Sequence, residues 1–215
     1  MYDINKRVIT SIFLITLLIL SIYNIYILSI LLLVIILEIF FEIQKILKKI
    51  IKRSNYNYLY ILLIFTLIYI VSIFIYVWVV FIQNNSQIIN NILLIVLICI
   101  SSDIGGYIFG KIFKGKKITK ISPNKTYSGM IGSYILAVLF SYLFFGNQYD
   151  LNLLLIYTLV VSSISQCGDF FISYLKRKAK IKDTGRLLPG HGGFLDRLDG
   201  LIFALPIGLI FIRLV

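Results

Sequence analysis

The chain has 215 residues, of which 60% are hydrophobic and only 14% charged, with a net charge of +12. A soluble domain of this length is about one quarter charged, so these figures and a mean hydropathy of +0.97 exclude an ordinary soluble fold. Cys99 and Cys167, the only cysteines, lie in apolar runs, which excludes a disulfide framework or a cysteine-based metal centre.

Several apolar runs reach the ~20 residues that a bilayer-crossing helix needs. They are continuous rather than alternating, which excludes a strand barrel. The expected fold is an all-α polytopic membrane protein with about seven transmembrane helices, the N-terminus in the cytoplasm, and one membrane-embedded domain over 1–215. N-terminal spans occupy 1–97 and a catalytic region 98–206. In chain order the expected spans are 7–23, 25–44, 58–82, 88–110, 128–146, 152–172 and 198–214. The first follows Lys6 and Arg7 without a small-residue cleavage site and reads as an uncleaved span.

The charges fix the expected orientation. With the N-terminus inside, Lys6 and Arg7, the group Lys45 to Arg53, the group Lys111 to Lys125 and the group Lys176 to Arg197 all face the cytoplasm, leaving only Arg213 outside. The outer loops QNNSQIINN and GNQYDLN hold no cation. The basic balance thus addresses the anionic cytoplasmic leaflet and not nucleic acid. Segment 42–53 is amphipathic at helical spacing, with Ile46, Leu47, Ile50 and Ile51 opposite Lys45, Lys48, Lys49 and Lys52. It reads as an interfacial helix end that grips anionic lipid.

Three polar clusters share that face. The first is Ser101-Ser102-Asp103-Ile-Gly-Gly-Tyr107, with Gly110-Lys111 after it. A charge at Asp103, inside an apolar span, costs ~3 kcal/mol or more and calls for a cation or metal partner, unless it is a polar contact between helices. Gly105 to Lys111 fits G-x-x-x-x-G-K, but Ile112 replaces the Ser or Thr and no strand precedes it, which excludes a P-loop. The second is Lys120 to Gly129, where Ser122, Asn124, Lys125 and Thr126 supply donors next to a helix start, as an anion site or as a polar turn.

The third cluster runs from Ser165-Gln-Cys-Gly-Asp169 through Ser173, Lys176, Arg177, Lys182 and Asp183 to Gly190-His191-Gly192-Gly193, Asp196-Arg197 and Asp199. Asp196 and Asp199 are three apart, which on a helix puts both on one face. Such a pair suits Mg2+, a hard cation with oxygen ligands. Acids at a helix start also satisfy the dipole. His191 has no second His or Cys for zinc and reads as a turn residue or phosphate contact. Acids, cations and glycine-rich turns on one face point to phosphate chemistry with a divalent metal.

The third cluster, S-x-L-K-R-x(4)-K-D-x-G-x-x-x-P-G-H-G-G-x-x-D-R-x-D over Ser173–Asp199, resembles the C-terminal signature of the phosphatidate cytidylyltransferase (CDP-diacylglycerol synthase) family. Asp103–Lys111 and Ser122–Thr126 match the family's D-x-G-x-Y-x-x-G-[RK] and S-P-x-K-T as well. The resemblance covers roughly 101–206, and Ser128 stands where the family commonly has Glu. It implies transfer of the cytidylyl group of CTP to phosphatidate, giving CDP-diacylglycerol and pyrophosphate in phospholipid biosynthesis. The implied catalytic residues are Asp196, Asp199, Asp169, Lys176 and Arg197, with Asp199, Asp196, Asp169 and Asp183 toward the metal. Asp103, Ser122, Lys125, Thr126, Ser173, Arg177, Lys182, His191 and Gly192 fall to substrate binding. It further implies Mg2+ with a second cation such as K+, a homodimer, and the bacterial inner membrane with the site facing the cytoplasm. The alternatives are another CTP-using membrane lipid kinase or transferase, and a non-catalytic membrane lipid-binding or transport protein.

Overall fold

The computed structural model describes residues 16–17, 19–21, 23–51, 56–119, 122, 125–185, 187 and 192–214. Two compact units emerge: Met1–Asn85 with Leu175–Leu198, and Ser86–Tyr174 with Asp199–Val215.

In the first unit, α1 (Ile25–Ile50) begins where Asn24 accepts from the amides of Tyr26 and Ile27 at 2.9 and 3.4 Å. Its buried residues Leu28, Leu32, Ile39, Glu42 and Ile46 recur at helical spacing. Against it packs α2 (Tyr56–Ile82), which buries Leu59, Leu63, Ile70, Ile73 and Val80 along one stripe. The Trp78 indole donates to the Ser29 hydroxyl at 2.7 Å and ties the two helices together. The basic segment after residue 42 continues α1 to Ile50, so its cations ride on an extension of the span itself.

In the second unit, α3 (Ser86–Phe113) packs on α4 (Tyr127–Phe145) and on α7 (Leu201–Leu214). Helices in lipid gain little from apolar burial against each other, so small residues and hydroxyls hold them together. The Ser133 hydroxyl donates to the Ser102 carbonyl at 2.7 Å, and the hydroxyls of Ser102 and Ser162 are 3.1 Å apart. Ser162 lies on α5 (Leu151–Lys178), whose residues up to Tyr174 belong to this unit. Gly105 faces Gly132 so closely that a methyl on Gly105 would overlap the Gly132 carbonyl.

Among the described residues five helices, α1 to α5, are long and apolar enough to cross a bilayer. They correspond to the expected spans at 25–44, 58–82, 88–110, 128–146 and 152–172, and make this an integral membrane protein. Most of the expected span 7–23 lies outside the described residues. The expected span 198–214 corresponds to α7, of 14 residues, which follows a short α6 (Leu195–Leu198) and a turn at Asp199-Gly200. At 1.5 Å per residue α7 covers about 21 Å, short of the ~30 Å hydrocarbon core. The Gly105 to Lys111 stretch is interior to α3, in line with the exclusion of a P-loop.

Because the atoms opposing Gly105 are backbone and cannot rotate away, Gly105→Ala should cost about 1–3 kcal/mol. Thermal unfolding in detergent should show a lower midpoint than wild type, and Gly105→Val should fail to accumulate in membranes.

Candidate active site

In the second unit, the segment after α3 doubles back on itself. Lys117 and Thr126 form an isolated antiparallel bridge. The Ile118 amide donates to the Lys125 carbonyl and the Tyr127 amide to the Lys116 carbonyl, both at 3.0 Å. This fixes Lys125 on the returning arm. Thr126 caps α4, accepting from the Gly129 amide at 3.1 Å. The Ser128 hydroxyl lies 3.0 Å from that of Thr126 and accepts from the Gly115 amide at 3.2 Å, so the residue at the family's Glu position braces the loop. Ser122 donates its amide to the Thr119 hydroxyl at 3.3 Å.

Lys125 then reaches α5. Its ammonium pairs with Asp169 and stands 3.9 Å from the centre of the Phe170 ring. The Ser173 hydroxyl, one turn further on, donates to the other Asp169 oxygen at 3.2 Å. Asp199, in the turn outside the five spanning helices, neighbours Asp169. Burial, then the Asp169 carboxylate and more weakly Asp103, push the Asp199 carboxyl up to about 8 against the pull of the Gly200 amide at 2.9 Å. Asp103 itself is exposed on α3.

The first unit holds the other half of the signature. Helix α5 ends with the Ile181 amide on the Lys176 carbonyl at 3.0 Å and Lys180 in the left-handed region at φ 55°. Lys176 bonds Asp196 at 2.7 Å, and the second Asp196 oxygen accepts from the amides of Thr184 and Gly193 at 2.9 and 3.2 Å. Burial pushes the Asp196 carboxyl up, but Lys176 and the two amides outweigh it and hold it below the ordinary 3.8. Its contribution to stability is complete above that value and is lost as pH falls through the lowered one. Gly192 sits at φ 85°, a backbone that favours glycine. Arg177, Lys182, Asp183 and Arg197 are exposed, and His191 lies outside the described residues.

Two features differ from the sequence expectation. Asp196 and Asp199 do not share a continuous helix, because α6 stops at Leu198 and Asp199 opens the turn. And a further acid enters: Glu42 of α1, only 4% exposed, accepts from the Thr184 hydroxyl at 2.6 Å and from the amides of Phe194 and Leu195 at 3.1 and 2.9 Å. The signal that singled out Asp103, an acid inside an apolar run, was equally present at Phe40-Phe41-Glu42-Ile43.

Among the described residues no three His, Cys, Asp or Glu side chains stand close enough to hold an ion together. In donor chemistry the Asp169–Asp199 pair fits a hard divalent cation: two carboxylates adjoin, both partly buried, and Asp103 adds negative charge at longer range.

The sequence model of the cytidylyltransferase family matches residues 3–215. The phosphatidate cytidylyltransferase of Staphylococcus saprophyticus is 41% identical over 129 residues, 58% of this chain and 50% of the relative. The Rickettsia typhi enzyme of the same name is 42% identical over 135 residues, 57% and 59% respectively. That of Helicobacter pylori is 39% identical over 114 residues, 52% and 43%. The chain thus spans about half the length of the curated relatives it matches.

Glu42→Ala should leave three buried donors unpaired, at a cost of about 3 kcal/mol or more. Amide hydrogen exchange at Phe194 and Leu195 should quicken roughly a hundredfold, whereas Glu38→Ala, one turn away and half-buried, should leave it nearly unchanged.

Proposed function

This chain belongs to the cytidylyltransferase family, and from that premise we propose that it transfers the cytidylyl group of CTP to phosphatidate, releasing pyrophosphate. The observation that carries this reading is the meeting of Lys125, from the Ser122–Thr126 motif, with Asp169, Ser173 and Asp199 of the third cluster. A phosphate oxygen of phosphatidate attacks the α-phosphorus of CTP. The bond from that phosphorus to the bridging oxygen breaks, and pyrophosphate departs with the electron pair. The nucleophile is already an anion, so the protein's task is to hold two polyanions in line and offset their charge.

Lys125, held over Phe170, exchanges Asp169 for a phosphate oxygen. Ser122, Thr126, Ser173 and Asp103, in the same unit, serve substrate binding in this reading. In the first unit Lys176, oriented by Asp196, and the exposed Arg177, Lys182 and Arg197 serve the phosphates, with Asp183, His191 and Gly192 in the same segment. Asp199 and Asp169 would hold Mg2+, which supplies charge neutralisation for the leaving pyrophosphate. The enzyme works in the bacterial inner membrane with this chemistry on the cytoplasmic face, which the one-sided distribution of Lys and Arg supports. The family resemblance further supports a homodimer and a second cation such as K+.

Membranes containing this chain, given phosphatidate, Mg2+ and CTP labelled at the α- or the γ-phosphate, should incorporate only the α label into lipid. Asp199→Ala should reduce incorporation at least about a hundredfold. Incorporation of the γ label alone would identify a lipid kinase, and no incorporation of either label would overturn the reading.

The raised Asp199 carboxyl keeps its proton below about 8, so Mg2+ must displace that proton to bind. The Mg2+ requirement should therefore ease with rising pH, by up to about tenfold per unit, and level off above that value. Asp199→Asn should flatten the dependence in an Mg2+ titration of activity.

A further inference from the structure

Lys125 is pinned at its root and free to swing at its head. Its amide donates to the Ser122 carbonyl at 3.1 Å and its carbonyl accepts from the Ile118 amide at 3.0 Å, so the backbone is held on both sides. Beyond the backbone runs a flexible four-carbon stem that ends in a compact, strongly hydrated ammonium. The side chain is 25% exposed, so water competes for that ammonium. Its position is decided by what meets it at the far end of the stem.

Two groups on α5 meet it, the Asp169 carboxylate and the face of the Phe170 ring. They respond differently to a change at the site. The carboxylate also accepts from Ser173 at 3.2 Å and has the Asp199 carboxyl beside it, and a metal ion bound there takes it from Lys125. The ring has no net charge and no oxygen or nitrogen to offer a metal ion. Its negative face attracts an ammonium whatever the carboxylate does. At 3.9 Å from the ring centre the ammonium is well inside the ~6 Å reach of this attraction. A second such pair, Lys111 over Tyr107 at 5.6 Å, lies near that limit and its lysine is exposed. Phe171, the next residue on α5, turns instead to α7 and packs edge-on against Phe203 at 5.7 Å. Of two adjacent phenylalanines, one joins helices and the other faces a charge.

We propose that Phe170 is a positioning residue: its ring keeps the Lys125 ammonium in place while Asp169 turns to a cation, so that the lysine is already aimed when a substrate phosphate arrives. This rests on the function proposed above, in which Lys125 exchanges Asp169 for a phosphate oxygen. Without the ring, each exchange releases the ammonium to water, and its stem must be ordered again as the phosphate binds. The ring therefore acts on the binding of substrate and not on the bond-making step that follows.

The full chain in nanodiscs is reductively dimethylated at its lysines with isotope-labelled methyl groups, which keeps their positive charge, and the Lys125 signal is assigned by its loss in Lys125→Arg. A methyl group over an aromatic face resonates upfield. That shift should be present in wild type, should persist in Asp169→Asn and on saturation with Mg2+, and should vanish in Phe170→Leu. Phe170→Tyr, which keeps the face, should retain it. Mono-, di- and trifluorinated phenylalanine in place of Phe170 keep the shape of the ring and drain its face, which separates attraction from packing. The shift should shrink stepwise along that series. In turnover assays on unmethylated chain, KM for one of the two substrates should rise along the same series, by about tenfold at its end, while kcat holds. Loss of the shift in Asp169→Asn or with Mg2+, a response indifferent to fluorination, or a fall in kcat at constant KM would each overturn the role. If the shift follows the ring while no CDP-diacylglycerol is formed, the hold on Lys125 stands and the proposed reaction falls. If turnover occurs and wild type shows no shift, the reaction stands and the role of Phe170 falls.

Discussion

A carboxylate removed from water must be met by donors or cations, or it loses its charge. Glu42 is the sharpest case. It lies on a spanning helix and, among the described residues, is met by a hydroxyl and two amides from residues 142 to 153 positions further along the chain. Those amides open α6, so the acid fixes where that helix begins. Asp196, in the first turn of α6, then gathers Lys176 and the amides of Thr184 and Gly193. The second unit solves the same problem with an ammonium group, placing Lys125 on Asp169.

The spanning helices were legible because a bilayer demands long continuous apolar runs, and α2 to α4 fall within a few residues of their expected limits. The misses have physical causes. Helices α1 and α5 run beyond their apolar portions, to Ile50 and Lys178, because Lys and Arg are good helix formers at the C-terminal, negative end of the dipole. The break at Asp199-Gly200 was missed because Leu198 was joined to the apolar run that begins at Leu201. The polar clusters were legible as chemistry, but the sorting of their members was not. In Ser101-Ser102-Asp103-Ile-Gly-Gly, Ser102 and Gly105 serve helix contacts while Asp103 is exposed. Glu42 had the right signal in the sequence, yet its partners lie too far away for spacing to name them.

Helix contact and chemistry thus share short stretches of sequence. Ser133 and Gly132 hold α4 to α3 from the same helix whose capping residue, Thr126, and neighbour, Ser128, set the loop that carries Lys125. On α5, Ser162 and Ser163 bond neighbouring helices, while Asp169 and Ser173, two to three turns on, face the lysine.

The wiring of Glu42 also bears on how the protein is made. Synthesis proceeds at roughly 5–20 residues per second, so about 7 to 28 seconds separate the emergence of Glu42 from that of Thr184, 142 residues later. During that interval α1 reaches the membrane with an acid whose partners do not yet exist. Its position late in the helix, about 26 Å from Ile25 at 1.5 Å per residue, lets the carboxylate wait at the water interface until the rest of the chain arrives to enclose it.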